Sequence, residues 1–426
     1  MGMPIQGHCR RRTGGHDGDP QMERQVLCYL ECCMFVVMHD TARFIPSATA
    51  FTAAQRRLAR AGFAIFLLVG AVQALYGPVL PAVRASFGLS MASGGWVVGT
   101  HFFGSVVGVL LSFVLEARLQ PRIRLTIGLM LVAVGTVAFA LIRAWPWALG
   151  GVLCIGLGYG ILVVAVNALF AASFGNRSTA LLILVNAGFG LGAVFGPLLY
   201  GIFSSGNFRL PFLVAGALAM LGLPLGWVVP ETAVHEGHDP APAGRGAQMA
   251  LGGFIALLLL YTALESDVSG WMATHLIFHG YSQGAAAELT AAFWMALTVG
   301  RLLSVPISLR LKPLQMIAGA LLGVIVLALV ARLSTLTAVA YVLIGLLLAP
   351  IFPVGFAWMH QTFPRLRGVA SMAMLGGLGG GLIFPVLVGR IIEASTPDVL
   401  PLALAAIAVA CVMVSLSLPG LIKAGR

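Results

Sequence analysis

The sequence predicts an all-α integral membrane protein, with twelve transmembrane helices in two pseudo-symmetric six-helix bundles. Only 9% of the 426 residues are Asp, Glu, Lys or Arg, against roughly a quarter in soluble domains, and the mean hydropathy is +0.98. Apolar stretches of about 20 residues, the length of a membrane-spanning helix, recur along the chain. They do not alternate as barrel strands do, so helices are the remaining way to satisfy the backbone in lipid. An internal sequence repeat, described below, is the observation that predicts two similar bundles.

The twelve predicted spans are separated by Pro, Gly or charged residues. They cover approximately 61–82, 93–115, 123–143, 147–174, 179–204, 208–229, 249–276, 285–309, 313–333, 335–362, 367–392 and 397–421. The most polar internal connection follows the sixth span and divides the chain. The predicted parts are an N-terminal tail (1–57), a first bundle (58–229), a central loop (230–248), and a second bundle with a short tail (249–426).

The two halves repeat at similar sequence offsets. RLQP (118–121) after span 2 recurs as RLKP (310–313) after span 8. Further residues in register are Gly108 with Gly300, Ser112 with Ser304, and Gly188, Gly192, Pro197 and Gly201 with Gly376, Gly380, Pro385 and Gly389. Parallel six-plus-six repeats are the organisation of major facilitator transporters.

The basic residues predict topology. The net charge of +11 is scattered over short loops, which argues against nucleic-acid binding. With the N-terminus inside, eleven basic residues lie in the inner loops and C-terminal tail and five in the outer loops, before the eight that precede span 1 are counted. This excess of basic residues on the inner side predicts that both termini are cytoplasmic. The protein is expected in the cell membrane, which is the inner membrane if the source is bacterial.

Residues 1–37 fit this organisation poorly. They combine a polar block with a short apolar run, CYLECCMFVVM (28–38), that cannot span a membrane. Our hypothesis is that translation begins at Met38, which N-terminal sequencing of native protein would test; a signal peptide is the alternative. The CxxxCC spacing in this tail is not a recognisable metal-ligand pattern, and no metal or cofactor is expected.

Residues from about Leu58 to Gly420 resemble the major facilitator superfamily and, within it, the group of fucose/glucose–proton symporters. The segments that carry the resemblance are YGPVLPAV (76–83), GFGLGAVFGPLLYG (188–201), YTALESDVSGW (261–271), FWMALTVGRLL (293–303) and LLLAPIFPVGF (346–356). The resemblance implies a transporter that works by alternating access between its halves.

Two departures from the family pattern matter. The loop 2–3 signature, Gly-x-x-x-Asp-Arg-x-Gly-Arg-Arg, is degenerate in SFVLEARLQPRIR (112–124), with Glu116 in place of the Asp. Fucose symporter relatives carry membrane carboxylates in spans 1 and 4, where this chain has Gln73 and Asn167. Any proton coupling would therefore use a carboxylate elsewhere.

Ionisable residues inside spans cost about 2.5–3.5 kcal/mol to insert and are functional candidates by default. Glu265 in span 7 is predicted to carry a proton or accept sugar hydroxyls, with a structural carboxylate as the alternative. Asp267 lies about 200° further round the helix, nearer the outer surface, and is expected to be structural. Ser269 and Gly270 favour a break in span 7, because transporters build sites from discontinuous helices.

Two basic candidates complete the ionisable set. Arg301 in span 8 is expected to pair with backbone carbonyls or to snorkel inward and stabilise the cytoplasmic gate, with pairing to a substrate anion or a carboxylate as the alternative. His101 in span 2 is expected to be structural, with titration near neutral pH as the alternative.

The uncharged polar and aromatic candidates suit a sugar-like ligand. Asparagine and glutamine amides could bond to hydroxyl groups, and tryptophan rings could stack on pyranose faces, although packing is the alternative for any aromatic residue in a span. This set comprises Gln73, Tyr76, Asn167, Asn186, Tyr261, Trp271 and Trp294.

The predicted function is secondary transport of a small polar solute, with a sugar favoured and proton coupling through Glu265. The expected partners are the solute, protons and the lipid bilayer, and the protein is expected to be a monomer.

GAVFGPLLYG (192–201) also resembles the Gly-Pro signature of drug–proton antiporters, so efflux of an apolar compound is the alternative. A non-transporting membrane sensor is a third. A Walker sequence is absent and no recognisable enzyme motif occurs in the spans, so neither an ATP-driven pump nor an enzyme is expected.

Overall fold

The computed structural model describes residues 51–116, 118–174, 177–203, 206–227, 245–308, 310–333, 335–363 and 369–424. The chain divides into two units at Thr52/Ala53, and the second unit contains all the helices discussed below. The hypotheses about residues 1–37 and Met38, and most of the central loop, lie outside the described residues.

The predicted fold class is confirmed: within the described residues, twelve helical segments are long and apolar enough to cross a membrane. Spans 6 and 10 are each made of two helices. In order, the spans are Ala53–Phe87, Met91–Glu116, Pro121–Leu141, Trp145–Ser173, Ser178–Phe203, Arg209–Leu221 with Leu223–Trp227, Arg245–Phe278, Gln283–Ser308, Pro313–Val330, Thr337–Leu348 with Ile351–Thr362, Val369–Ala394 and Leu400–Ala424.

Large apolar side chains cover the outside of the bundle. In span 12, Val409, Met413 and Leu416 are all exposed and recur at helical spacing, so they form one stripe. On the opposite face of the same helix, Leu404 and Cys411 are fully buried. An exposed apolar stripe facing outward is what contact with lipid requires.

The turns after the first helix of each half are identical. Gly88 follows span 1 with φ 64° and Gly280, which is 192 positions later, follows span 7 with φ 89°. In both turns the next residue donates its backbone N–H to a carbonyl five positions earlier, from Leu89 to Arg84 and from Tyr281 to Leu276. Glycine is favoured there because it adopts a left-handed backbone without steric cost.

The helix contacts repeat as well. A Cβ at Gly192 in span 5 would overlap the carbonyl oxygen of Leu67 in span 1, and a Cβ at Gly380 in span 11 would overlap that of Leu259 in span 7. Leu259 again follows Leu67 by 192 positions. The two six-helix halves are thus built on one packing scheme, as the sequence repeat predicts, with small residues allowing close helix approach.

The expected break in span 7 is wrong. Span 7 is a continuous helix from Arg245 to Phe278, and the hydroxyl of Ser269 donates to the carbonyl of Ser266 within it. The interruption occurs instead in span 10, between Leu348 and Ile351. Pro350 lies at that point, and proline both lacks the helical N–H and disfavours helix in the preceding residue.

The two halves meet on one side of the bundle, here called the far face, which the chain first reaches at residues 88–90. A Cβ at Gly77 in span 1 would overlap the carbonyl oxygen of Ser269 in span 7. Spans 2 and 11 pack together, and the Glu393 carboxylate accepts a 2.7 Å bond from the backbone N–H of Ala92.

Spans 5 and 8 also pack together toward the far face. The side-chain amide of Gln283 donates to the Tyr200 hydroxyl at 2.8 Å, and a Cβ at Gly190 would lie 2.6 Å from the Thr298 hydroxyl near mid-span. Asn186 lies one helical turn from Gly190 on the same side of span 5, toward the opposite face of the bundle, here called the near face. Its side chain is exposed. Spans 5 and 8 therefore contact each other from mid-span toward the far face, and the near face is predicted to be cytoplasmic.

Loop 2–3 on the near face retains an ion pair despite its degenerate signature. Glu116 lies 3.6 Å from the guanidinium of Arg124, whose side chain is buried. The pair joins the end of span 2 to the start of span 3. An acidic residue is therefore still used at the position where the family pattern has Asp.

Candidate functional site

A carboxylate and a guanidinium from neighbouring spans meet near the centre of the bundle. Glu265 Oε1 in span 7 lies 3.4 Å from an Nη of Arg301 in span 8. Their side chains are 16% and 34% exposed respectively, so the pair is largely buried but reachable by solvent. A pair of opposite charges removes much of the cost of placing either charge inside a membrane protein.

The direction of the side chains explains why these two residues meet. Side chains in a helix point back toward its N-terminus. Span 7 runs from the near to the far face and span 8 returns, so Glu265 points toward the near face and Arg301 toward the far face. The backbones of Glu265 and Arg301 lie at different distances from the far-face ends of their helices, and the opposed directions bring their charged groups to one level.

Two tyrosines lie beside the ion pair. Tyr261, one turn before Glu265 on span 7, interacts electrostatically with both charges, and Tyr159 of span 4 does the same from the first half. The Tyr261 hydroxyl is buried and lies within hydrogen-bonding reach of both Glu265 and Arg301. It is therefore a polar member of the ion-pair cluster at this site.

Aromatic rings bridge the two halves at the same site. The Phe189 ring of span 5 lies 6.3 Å from the Trp294 ring of span 8 and 6.4 Å from the Tyr159 ring, both edge-on. Within the described part of the chain, the indole N–H of Trp294 is buried without an acceptor. A buried indole usually finds a partner, so this donor is open to a ligand.

Gln73 lies across from Glu265 at the same level. It is on the face of span 1 that carries Gly70, which packs on the Phe189 backbone, and Gly77, which packs on Ser269. Gln73 is one turn before Gly77 in span 1, and Glu265 is one turn before Ser269 in span 7. Because Gly77 packs on Ser269 and both spans run in the same direction, Gln73 and Glu265 lie at the same level. Its side-chain oxygen is buried and has no donor among the described residues.

Asp267 and Trp271 do not reach this site. They share the opposite side of span 7, and Trp271 is buried with its indole N–H donating to the carbonyl of Pro385 in span 11 at 3.1 Å. Of the two interpretations of Trp271, these contacts favour packing over stacking on a substrate. Asp267 is 0% exposed, and neither carboxylate oxygen has a partner in the described part of the chain.

Tyr76 and His101 also lie away from the centre. The Tyr76 hydroxyl is 3.2 Å from His101 Nδ1, both side chains are buried, and the Tyr76 ring packs against Phe212 of span 6. These contacts are all inside the first half, so Tyr76 packs there and is not brought to the central ion pair. The contacts of His101 agree with its structural interpretation.

The two asparagines make local bonds. The Asn167 amide donates to the carbonyl of Val163 and the Asn186 amide to that of Leu182, each one turn back on its own helix. Asn186 is exposed. Neither asparagine contacts the central ion pair through a described hydrogen bond. Their side-chain oxygens can accept hydrogen bonds from other groups.

Sequence reasoning missed Tyr159 and Phe189. Tyr159 stands in GLGYG (156–160), and Phe189 stands in GFG (188–190). In both segments the glycines do pack closely on neighbouring helices, and the aromatic residue between them is turned toward the centre. A single aromatic residue flanked by helix-packing glycines was the available signal.

Sequence reasoning also missed a second polar cluster, at the far face of the second half. His275 and His279, one turn apart at the end of span 7, both contact Asp398. The signal was their i, i+4 spacing, which places two imidazoles on one helix face.

Chemically, the central arrangement offers a cation and an exchangeable proton site. Arg301 can bond to a carboxylate in two-pronged geometry, and Glu265 can take up a proton when its partner is withdrawn. The rings of Phe189, Trp294 and Tyr159 supply flat apolar contact, and the Tyr261 and Trp294 groups supply hydrogen bonds.

Comparisons with known proteins agree with this description. A family model described as Major Facilitator Superfamily matches residues 62–385. The gentisate transporter of Corynebacterium glutamicum is 26% identical over 352 residues, which cover 75% of this chain and 77% of that protein. The 3-(3-hydroxy-phenyl)propionate transporter of Escherichia coli K12 is 24% identical over 366 residues, covering 79% and 87%.

Among solved structures, the nucleoside transporter NupG superposes with a TM-score of 0.70 at 14% sequence identity, covering 87% of this chain and 100% of that chain. At that identity the likeness concerns the fold alone.

Proposed function

The chain belongs to the major facilitator superfamily of secondary transporters, and from that premise we propose that it carries a small aromatic carboxylate together with a proton. The observation that carries the proposal is the Glu265–Arg301 pair at 3.4 Å, surrounded by aromatic side chains. Two relatives along most of the chain are named as transporters of gentisate and of 3-(3-hydroxy-phenyl)propionate. Both compounds are aromatic rings that carry a carboxylate and a hydroxyl group.

Charge balance couples the anion to the proton. In the empty site Arg301 is neutralised by Glu265. A substrate carboxylate can replace Glu265 on the guanidinium without leaving a buried charge unpaired if Glu265 takes up one proton. Leaving one partner of a buried pair uncompensated costs about 3–5 kcal/mol, so anion and proton bind together and leave together. This is symport with one proton for each carboxylate.

The ring and its hydroxyl group would be recognised by the first half and by Trp294. Phe189 and Tyr159 offer edges and faces for stacking, an arrangement that aromatic pairs favour. The unpartnered oxygen of Gln73 would accept a bond from the substrate hydroxyl group. Because these residues lie on both halves, a bound ring would contact both.

A sugar remains the second candidate, in keeping with the resemblance to fucose/glucose symporters. The observation that favours it is the unpartnered side-chain oxygen of Gln73, a neutral acceptor for a hydroxyl group. A sugar, however, would leave Arg301 paired with Glu265 and would make no use of the guanidinium charge. For that reason the aromatic carboxylate is the proposal we favour.

The test uses purified protein in proteoliposomes with an imposed pH gradient. Labelled gentisate and 3-(3-hydroxyphenyl)propionate should accumulate, benzoate should compete, and the neutral analogue benzamide should not. Arg301→Gln should weaken transport about 100-fold, because truncating one partner of a buried charged contact costs several kcal/mol. Arg310→Gln, an exposed arginine after the same span, is the matched control and should transport normally.

Three outcomes would contradict the proposal. Accumulation of labelled glucose or fucose without competition by benzoate would identify the sugar candidate. Efflux of an apolar drug against the gradient would identify the antiporter alternative. Equal competition by benzoate and benzamide would show that the carboxylate is not recognised.

A further inference from the structure

The polar cluster at the far face of the second half has the composition of a metal site. His279 Nε2 lies 2.7 Å and His275 Nε2 lies 3.3 Å from the same oxygen, Oδ1 of Asp398. One ligand atom from each of the three residues lies within 4.8 Å of the others. The residues come from two elements, the end of span 7 and the short 3₁₀ turn Pro397–Val399 that precedes span 12.

The local structure orients both imidazoles toward one point. His275 and His279 are one turn apart on a continuous helix, which places both rings on the same face, with their centroids 4.7 Å apart. Asp398 approaches that face from the 3₁₀ turn. Because both Nε2 atoms converge on one carboxylate oxygen, a small displacement of that oxygen would leave room for an ion bound by all three.

A buried tyrosine sets the orientation of His275. The Tyr341 hydroxyl of span 10 lies 2.9 Å from His275 Nδ1, and both side chains are 0% exposed. When His275 carries its proton on Nδ1, that N–H donates to the tyrosine oxygen and the Nε2 lone pair is free to bind a metal. A partner of this kind on the remote nitrogen is typical of histidine ligands.

We propose that His275, His279 and Asp398 form a site for a divalent transition metal, with Zn²⁺ as the best match, open to the far face of the membrane. Two imidazoles and one carboxylate are ligands that Zn²⁺, Co²⁺ and Ni²⁺ accept, whereas Mg²⁺ and Ca²⁺ prefer all-oxygen sets. Asp398 is 44% exposed, so an ion can enter from solvent and a water molecule can complete the coordination.

Binding needs no change in net protonation of the rings. In the hydrogen-bonded cluster each imidazole donates its Nε2–H to Asp398, since an ionised carboxylate only accepts; with the metal bound, each of these protons moves to Nδ1 of its own ring and the carboxylate stays ionised. The ion would join span 7, which carries Glu265, to span 12. Tyr341 would link the same site to span 10. The metal would thereby brace the second half independently of the substrate proposed above.

Metal binding to the full-length protein tests the proposal. After removal of any affinity tag, blocking of thiols with N-ethylmaleimide and treatment with EDTA, the protein is titrated with ZnCl₂, CoCl₂ and MgCl₂ by calorimetry. We expect one saturable Zn²⁺ site, visible absorption from bound Co²⁺, and no matching Mg²⁺ site. Zn²⁺ should also raise the midpoint of thermal unfolding, because a ligand of the folded state stabilises it.

Variants distinguish this site from adventitious binding. His279→Ala and Asp398→Asn should each weaken Zn²⁺ binding by at least tenfold and remove the Co²⁺ absorption. Tyr341→Phe, which keeps the ring and removes only the hydroxyl group, should weaken it by about 10–100-fold. His360→Ala removes an exposed histidine in span 10 and should bind as the parent does. Any Zn²⁺ binding by residues 1–50 is the same in all variants, so it does not affect the comparison between them.

Two results would overturn the proposal. One is the absence of a saturable site in the parent protein. The other is equal Zn²⁺ affinity in the parent, His360→Ala and Asp398→Asn proteins. If His279→Ala does not fold, as judged by gel filtration and thermal unfolding, the isosteric Asp398→Asn variant decides the question.

Discussion

The two halves of the molecule share a scaffold and differ in chemistry. Gln73 in the first half and Glu265 in the second are 192 positions apart and occupy equivalent places, each one turn before a helix contact at the far face. One side chain is a neutral amide and the other is an ionised carboxylate paired with Arg301. The same packing therefore presents two different polar groups across one central space.

The difference extends to the neighbours of these residues. Counting back 192 positions, Arg301 corresponds to Val109 and Tyr261 to Val69, and both valines are buried. The comparison teaches that helix packing and transport chemistry are separable here. Packing depends on small residues that recur in both halves, whereas the ion pair at the centre of the bundle belongs to the second half.

The strongest test of this asymmetry is Glu265→Gln. We expect it to abolish accumulation driven by a pH gradient while sparing exchange of internal for external substrate, because the glutamine keeps the shape but cannot carry a proton. Initial rates of uptake and of counterflow in proteoliposomes measure the two activities. Intact accumulation in this variant would exclude Glu265 as the coupling site.

A second test exchanges the equivalent residues. In the double variant Gln73→Glu with Glu265→Gln, the carboxylate moves to the first half at the same level of the bundle. We expect partial recovery of pH-driven accumulation relative to Glu265→Gln alone. Gln73→Glu alone is the matched control, and it should be impaired because it adds a second buried carboxylate. If the double variant transports no better than Glu265→Gln, the two positions are not equivalent in function.

The shared scaffold predicts matched losses of stability. Gly192→Ala and Gly380→Ala each place a methyl group against a carbonyl oxygen of the neighbouring helix. Overpacking of this kind costs about 1–3 kcal/mol, and we expect similar falls in the free energy of unfolding for both variants. Gly319→Ala, at a helical position with no atom within 4 Å of the added Cβ, is the control. Unequal losses would show that the two contacts have diverged.

The smallest expected effect is at the far-face contact between the halves. Glu393 of span 11 accepts a bond from the Ala92 N–H at the start of span 2, where a negative charge is also favoured by the helix dipole. Glu393→Gln should shift the protein toward opening at the far face, by about fivefold at most because the group is exposed. Arg390→Gln, an exposed residue of the same helix, is the control.

The measurement is the rate of thiol labelling of a cysteine introduced at Val386, which lies in the contact between spans 2 and 11. Labelling of the parent protein without Val386→Cys supplies the background from native thiols. Faster labelling in the Glu393→Gln background is the expected result. An unchanged rate would show that this bond does not hold the far face closed.

The sequence by itself determined the fold class, the number of spans and the repeat, because hydrophobic length and recurrent helix-packing glycines are local properties. It also identified Glu265 and Arg301, since a charged residue in an apolar span is recognisable whichever way the helix is oriented. It could not show that the two are paired. That depends on two antiparallel helices whose side chains point toward each other, and on the long reach of arginine.

Only the tertiary structure decided which polar residues face the centre. Trp271, Tyr76 and His101 have the residue types of a binding site, yet their partners are Pro385 and one another. Span 7 stayed helical at Ser269 and Gly270 because packing and a local hydroxyl bond stabilised it. Contacts between spans distant in sequence set these choices, and neither composition nor spacing records them. The same is true of Asp398, which reaches His275 and His279 only because spans 7 and 12 pack side by side.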